Sequence, residues 1–193
     1  WDDGRGMSES DLLGAMRPGS RNPLEARDPR DLGRFGLGLK TASFSQCRRL
    51  SVISKCEGGP VTARCWDLDY VALSDGEWRL LKGDALISPS MSAVFKKLTC
   101  GTVVVWEKLD RAAGHAKADD DAAHRRFLDG LDDVKQHLAM VFHRFLDAGR
   151  LKVWLNERQL PHWDPFLTTE PATQILGAEK LPFAGDQIIV QPY

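Results

Sequence analysis

Asp2-Asp3-Gly4-Arg5-Gly6-Met7 and Gly33-Arg34-Phe35-Gly36-Leu37-Gly38-Leu39-Lys40 are the two stretches whose reading decides the fold. Each is a glycine-rich turn, and the second runs straight into a helical pattern through Leu39, Ala42, Phe44 and Cys47. Glycine permits positive φ and lets backbone N–H groups approach a ligand with no Cβ in the way. A loop of such groups ending at a helix N-terminus suits a phosphate, because unpaired donors and the helix dipole both face the anion. Taken alone, the second turn reads more simply as glycines that let a helix and a strand pack. It is not a Walker A loop, since Lys40 follows Gly38 by two and no Gly-Lys-Ser/Thr ending is present. No strand pattern precedes it, so it does not meet the dinucleotide fingerprint either.

Between the turns, residues 8–32 are polar and punctuated by Pro18, Gly19, Pro23 and Pro29 among Arg17, Arg21, Arg27 and Arg30. Ser8-x-x-Asp11 is suited to cap a short helix through Leu12, Leu13 and Met16, which Pro18 and Gly19 stop. The segment as a whole shows no core-forming stripe and reads as a lid, the most mobile internal part of the chain. Leu50 to Ser54 and Val61 to Leu68 are strand-like, joined by the turn Glu57-Gly58-Gly59-Pro60, and Glu77 to Leu81 extends the meander. Pro89 to Lys97 reads as a short helix. Thr102-Val103-Val104-Val105-Trp106 is continuously apolar, the mark of a buried central strand. After a polar loop over 112–121, Leu131, Val134, Leu138, Val141, Phe142 and Phe145 recur at helical spacing, and Gly149 ends the helix. Leu151 to Leu155 and Ile188 to Val190 are further strands, with a turn at Asn156-Glu157-Arg158. Helices and strands mix without regular βαβ alternation, which predicts an α+β fold.

The composition sets the outer bounds. With 193 residues, 42% hydrophobic and 27% charged, the chain is an ordinary globular one, long enough to bury a core. Lys and Arg number 26 against 27 Asp and Glu, a net charge of −1, and no basic stripe with interleaved aromatics points to nucleic acid. No apolar run approaches the roughly 20 residues of a membrane span. Cys47, Cys56, Cys65 and Cys100 are spaced by 9, 9 and 35 residues, which fits no metal clip. A reduced, cytoplasmic protein is expected.

Taken as a pair, the two turns resemble the GHKL ATPase superfamily: gyrase B, the ninety-kilodalton heat-shock chaperone, histidine kinases and MutL. The form Asp2-Asp3-Gly4-x-Gly6-Met7 with Gly36-x-Gly38-Leu39-Lys40 looks most like the MORC and heat-shock-chaperone branch. Gly101-Thr102, opening the strand to Trp106, is similar to the Gly-Thr that lines the family's adenine pocket. The resemblance covers about residues 1–107. It implies a two-layer α/β sandwich of the Bergerat type with a mixed, mainly antiparallel sheet, plus the start of a second domain. The division it implies is an ATP-binding domain over 1–148, lacking its first helix, and a transducer-like domain beginning in 149–193.

Residue by residue, the resemblance gives Asp2 the carboxylate that accepts from the adenine exocyclic amine, selecting adenine over guanine. Asp3 reads as structural or solvated. Gly4 and Gly6 fold the chain tightly under the base, and Met7 either packs on its face or is an ordinary core methionine. Gly33, Gly36 and Gly38, with the amide of Leu39, match the phosphate-cradling turn. Lys40 either adds a charge at the β- or γ-phosphate or points outward from its helix. Thr102 either reaches the adenine edge through water or is there for its β propensity. No catalytic residue or metal ligand is assigned: the family's glutamate base and its magnesium-holding asparagine are expected upstream of Trp1, and its phosphate-sensing cation beyond Tyr193.

The implied ligands are ATP and ADP, with magnesium in a longer parent protein. The implied function is an ATP-binding domain in which nucleotide closes the lid over 8–32 and drives conformational change or homodimerisation of that parent. ATP hydrolysis is expected of the parent and not of this chain alone. A non-catalytic interaction module with a degenerate pocket is the alternative. His137 and His143 do not have the spacing of metal ligands, Asp119 to Asp121 read as a solvated run before a helix, and His162-Trp163-Asp164-Pro165-Phe166 reads as a turn with aromatic packing.

Overall fold

A computed structural model describes residues 1–19, 36–75, 77–111 and 120–190. Gly33, residues 20–32 of the expected lid and most of the expected polar loop at 112–121 lie outside the described residues. The chain divides into two compact units, Trp1–Ala118 and Asp119–Tyr193.

The first unit is built on a four-stranded sheet in the order β3-β2-β1-β4, from β1 (Arg49–Lys55), β2 (Thr62–Asp67), β3 (Leu81–Lys82) and β4 (Gly101–Glu107). All its pairings are antiparallel, with Leu50 opposite Trp66 and Ile53 opposite both Ala63 and Val103. Side chains alternate between faces along a strand, so Leu50, Val52 and Ser54 share one face and Ser51 and Ile53 the other. The first face is covered by α1 (Glu9–Met16), α2 (Gly38–Phe44) and α3 (Leu68–Leu73), where Leu12, Met16, Leu50, Val52, Trp66 and Val71 form one core cluster. On the opposite face Ile53, Ala63 and Val103 pack with Phe95 of α4 (Pro89–Lys97).

Two expectations are corrected here. The first concerns residues 8–19, assigned to a mobile lid without a core stripe. Ser8 and Asp11 form a reciprocal capping box, and Leu12 and Met16 are wholly buried. Arg64 of β2 holds Glu9 at 2.6 Å, and the Trp66 indole N–H donates to the Met16 carbonyl at 3.0 Å. α1 is therefore fastened to β2 at both ends, because one turn-spaced pair of apolar side chains is enough to seat an eight-residue helix. The second concerns β4, expected in the sheet's centre. It is an edge of the four-stranded order, and β1 is the strand buried without a break, from Leu50 to Ser54. Val104 and Trp106 are about two-fifths exposed, so the apolar run at 103–106 reflects β propensity as much as burial.

Of the expected third run, Glu77 to Leu81, only Leu81 lies in a strand, as the first residue of β3. Pro89–Lys97 is the helix expected, with Ser88 as its N-cap.

In the second unit, the long helical pattern forms α5 (Asp121–Val141), capped by Asp120, and α6 (His143–Asp147), with Gly149 at φ +65 just past its end. Two hairpins follow: β5 (Trp154–Leu155) with β6 (Arg158–Gln159), and β7 (Glu179–Phe183) with β8 (Asp186–Val190). Asn156 and Glu157 both have positive φ, which makes the predicted turn a two-residue hairpin loop of the mirror-image kind favoured by strand twist. No helix among the described residues is long and apolar enough to cross a membrane.

Candidate functional site

The N-terminal segment continues the sheet past β4. Asp2 and Thr102 form an isolated antiparallel bridge, Asp2 N–H donating to the Thr102 carbonyl at 2.8 Å and Thr102 N–H to the Asp2 carbonyl at 3.2 Å. Two motifs a hundred residues apart in sequence thus meet in hydrogen-bond register. Asp2 Oδ1 also accepts from the Gly4 N–H at 2.9 Å, closing a tight turn.

Two glycines make this approach possible. Gly6 lies at φ +66, and a Cβ there would fall 1.9 Å from the Lys55 carbonyl oxygen. Gly101 lies at φ +148, and its Cβ would fall 2.2 Å from the Asp2 carbonyl oxygen. Nothing larger fits at either position.

Beneath them sits a residue that the sequence reading missed. Ser54, wholly buried near the end of β1, pairs across the sheet with Thr102. Its hydroxyl accepts from Met7 N–H at 2.9 Å, donates to the Gly101 carbonyl at 3.0 Å, and lies 2.9 Å from Thr102 Oγ1. One hydroxyl therefore holds both the first glycine-rich turn and the Gly-Thr pair. The signal was present, because Ser54 follows Leu50 and Val52 at two-residue steps and so puts a polar group on a core-facing position.

Of the expected site residues, Asp2, Gly4, Gly6, Met7 and Thr102 are thus brought together. Met7 packs its side chain against the core cluster around Leu50 and Trp66, the core-methionine alternative. Gly36 has φ +64, and Leu37, with no side-chain cap, precedes the first turn of α2. The first intrahelical bond runs from Thr41 N–H to the Leu37 carbonyl at 3.0 Å, so the N–H groups of Gly38, Leu39 and Lys40 come before it. The space where a Gly38 Cβ would stand is open. On the far side of α2, Ser43 accepts from the Trp106 indole N–H at 2.9 Å, tying the helix to β4.

Lys40 takes neither orientation foreseen for it. It is buried, and its ammonium donates to the Ala15 carbonyl at 2.7 Å and to the Gly36 carbonyl. Its charge is spent on joining the second turn to the end of α1, and burial lowers its pKa from the usual lysine value.

The chemistry of this set fits the adenine end of a nucleotide. The Asp2 carboxylate and the Thr102 hydroxyl offer oxygen acceptors beside each other, the complement of an amine. Among the described residues no group of three or more His, Cys, Asp or Glu is arranged to hold a metal ion.

The other candidates are structural. Asp164 accepts from the N–H groups of Phe166 and Thr168 at 2.9 and 2.7 Å and from the Thr168 hydroxyl. The Thr168 hydroxyl above all, then these N–H groups, hold its carboxyl below the usual range. His143 Nδ1 lies 2.7 Å from the Met140 carbonyl, and its ring packs on Phe166. A cavity of about 590 Å³ in the second unit, lined by residues including Pro165, Leu167 and Gln174, carries no acidic or basic side chain.

No curated protein matches this chain. A family model described as histidine kinase-, DNA gyrase B-, and HSP90-like ATPase matches residues 1–102, a span that opens just before Asp2 and closes on Thr102. More than half the chain, with both sides of the Asp2–Thr102 bridge, falls inside that one model, and the chain belongs to this family of ATPases.

Proposed function

We propose that the chain binds ATP, with the adenine amine at the Asp2 carboxylate and the Thr102 hydroxyl and the phosphates toward Gly36, Gly38 and the Leu39 amide. The observation that carries this reading is the Asp2–Thr102 bridge, which sets the two acceptor-bearing residues side by side. Gly6 serves it by letting the backbone fold closely onto β1, and Gly4 by leaving room for the Asp2 carboxylate. Gly33 is included on its place in the sequence motif alone. Lys40 acts from behind, holding the Gly36 turn to α1.

Magnesium is the counter-ion expected of such a nucleotide, with ligands supplied from outside the residues named here. Within the family, the Gly-Leu-Lys ending at 38–40 favours the MORC and chaperone-like branch. In a longer protein, nucleotide binding would drive conformational change or homodimerisation and end in hydrolysis. A reducing, cytoplasmic setting belongs to the same reading and is supported by four free cysteines, of which Cys47 and Cys65 are buried.

The test is titration calorimetry with ATP and GTP. Guanine presents a carbonyl where adenine presents its amine, and facing an acceptor with an acceptor forfeits roughly 1–3 kcal/mol or more. ATP is expected to bind at least about tenfold tighter than GTP, and Asp2→Asn to weaken ATP by about the same factor. Equal affinities for ATP and GTP would remove the adenine assignment.

A further inference from the structure

The Ser54 hydroxyl has three partners and one proton, and only one allocation of protons makes all three contacts hydrogen bonds. Met7 N–H can only donate, so it occupies one lone pair of Ser54 Oγ. The Gly101 carbonyl can only accept, so its contact is a hydrogen bond only when it takes the single Ser54 proton. The remaining contact, Ser54 Oγ to Thr102 Oγ1 at 2.9 Å, is by geometry open to either direction. With the Ser54 proton already spent, Thr102 must be the donor. Its own proton is then committed inward, and what it retains for a ligand is lone pairs only.

The sheet makes this arrangement rigid. Asp2 and Thr102 exchange both of their backbone bonds, so the Thr102 N–H and carbonyl point away from β1. Ser54 and Thr102 are therefore a non-hydrogen-bonded pair of the β1–β4 ladder, the kind in which facing side chains come closest. Ser54 is wholly buried and no water can substitute for its partners without opening the sheet.

We infer that Ser54 is a positioning residue that sets ligand specificity: by consuming the Thr102 proton it turns Thr102 into an obligate acceptor, so that with Asp2 the site admits a donor edge and rejects an acceptor edge. This rests on the proposed adenine site and assigns its selectivity to a side chain that touches no ligand. A hydroxyl free to rotate would donate to a carbonyl as readily as it accepts from an amine. The fixed hydroxyl cannot.

The probe pair is ATP and inosine triphosphate, which share ribose and phosphates and differ at the six-position, amine in one and carbonyl in the other, and at N1, bare in adenine and protonated in hypoxanthine. In the full chain, calorimetry is expected to show a preference for ATP of about tenfold or more, by the cost of an unmet buried polar group. In Ser54→Ala the Thr102 proton is released to rotate outward, and the preference is expected to shrink to the part that the Asp2 carboxylate alone supports. Ser54→Thr, which keeps the hydroxyl, is expected to restore it. A purely structural role would weaken both nucleotides alike and leave their ratio intact; that result overturns the inference while leaving the adenine site standing. A wild-type chain that binds neither nucleotide, or binds them equally, overturns both. Should Ser54→Ala fail to fold, Thr102→Ser and Thr102→Val carry the same question from the other side of the bond. Thr102→Ser must keep the preference and Thr102→Val must lower it, and equal ratios in the two overturn the inference.

Discussion

Replacing Gly6 by alanine isolates the close approach on which the candidate site depends. Gly6 and Gly58 have nearly the same backbone conformation, φ +66 and φ +69, but a Cβ at Gly58 meets open space and one at Gly6 meets the Lys55 carbonyl oxygen at 1.9 Å. Gly58→Ala therefore measures the conformational cost alone, about 1–2 kcal/mol for an L-residue in the left-handed region. At Gly6 that cost is joined by a clash that the neighbour cannot relieve, since Lys55 is held in β1 by its pairing with Gly101. The segment carrying Asp2 to Met7 must lift instead. It would give up the two backbone bonds between Asp2 and Thr102 and the bond from Met7 N–H to Ser54. At about 0.5–1.5 kcal/mol net for each bond, Gly6→Ala should cost about 3–6 kcal/mol in all. With a urea slope of about 2 kcal/mol/M, its midpoint should fall about 1–2 M further than that of Gly58→Ala. ATP binding should disappear with the bridge. Equal midpoints for the two variants would refute the close approach and the site geometry built on it.

Leu12→Ala should destabilise by about 2–5 kcal/mol in chemical denaturation, because Leu12 is wholly buried; a loss below about 1 kcal/mol would return α1 to the lid. Lys40→Met leaves the Ala15 and Gly36 carbonyls without their donor, an expected cost of about 1–3 kcal/mol at neutral pH. Because burial lowers the Lys40 pKa, the unfolded chain keeps that proton to higher pH than the folded one. Over the window just below the ordinary lysine value the wild type should gain on Lys40→Met as pH rises, and paired thermal melts would show a gap that widens. Asp11 has the opposite sign: the Ser8 hydroxyl and then its backbone N–H hold the carboxyl below the usual range. Its capping contribution is complete above that range and fades as pH falls through the lowered value, so the difference in melting between wild type and Asp11→Ala should narrow in acid.

What the sequence disclosed depended on whether the signal was local. Ser88-Pro89 and Asn156-Glu157 carry their structure within a few residues, and the helix and hairpin there were readable from the residue types alone. β1 and β2 were readable because Gly58 and Gly59 mark the turn between two apolar runs. β4 was misplaced because Val103-Val104-Val105 records β propensity, whereas centre or edge is a property of which other strands arrive. α1 was underrated because Leu12 and Met16 make a single turn-spaced pair in a stretch punctuated by Pro and Arg, and their burial is conferred by Trp66 and Leu50 from elsewhere.

The site shows the same division. Asp2, Gly6 and Thr102 could be named from motif and likeness. Ser54 could not, because its role exists only in the register that sets residue 54 opposite residue 102. Lys40 had a motif position but no visible partner, since the carbonyls it meets belong to the Gly36 turn and the distant end of α1.

The bridge between Asp2 and Thr102 also fixes when during synthesis this site can come into being. Asp2 leaves the ribosome a hundred residues ahead of its partner, which at about 5–20 residues per second is a delay of roughly 5–20 s. Until β4 arrives, the Asp2–Met7 segment has neither the Thr102 backbone nor Gly101 to lie against, and the Ser54 hydroxyl lacks two of its three partners. Nucleotide would find nothing to hold on the nascent chain. Ligand capture thus becomes a late checkpoint, stabilising only molecules in which the Asp2–Met7 segment has already met the strand it pairs with.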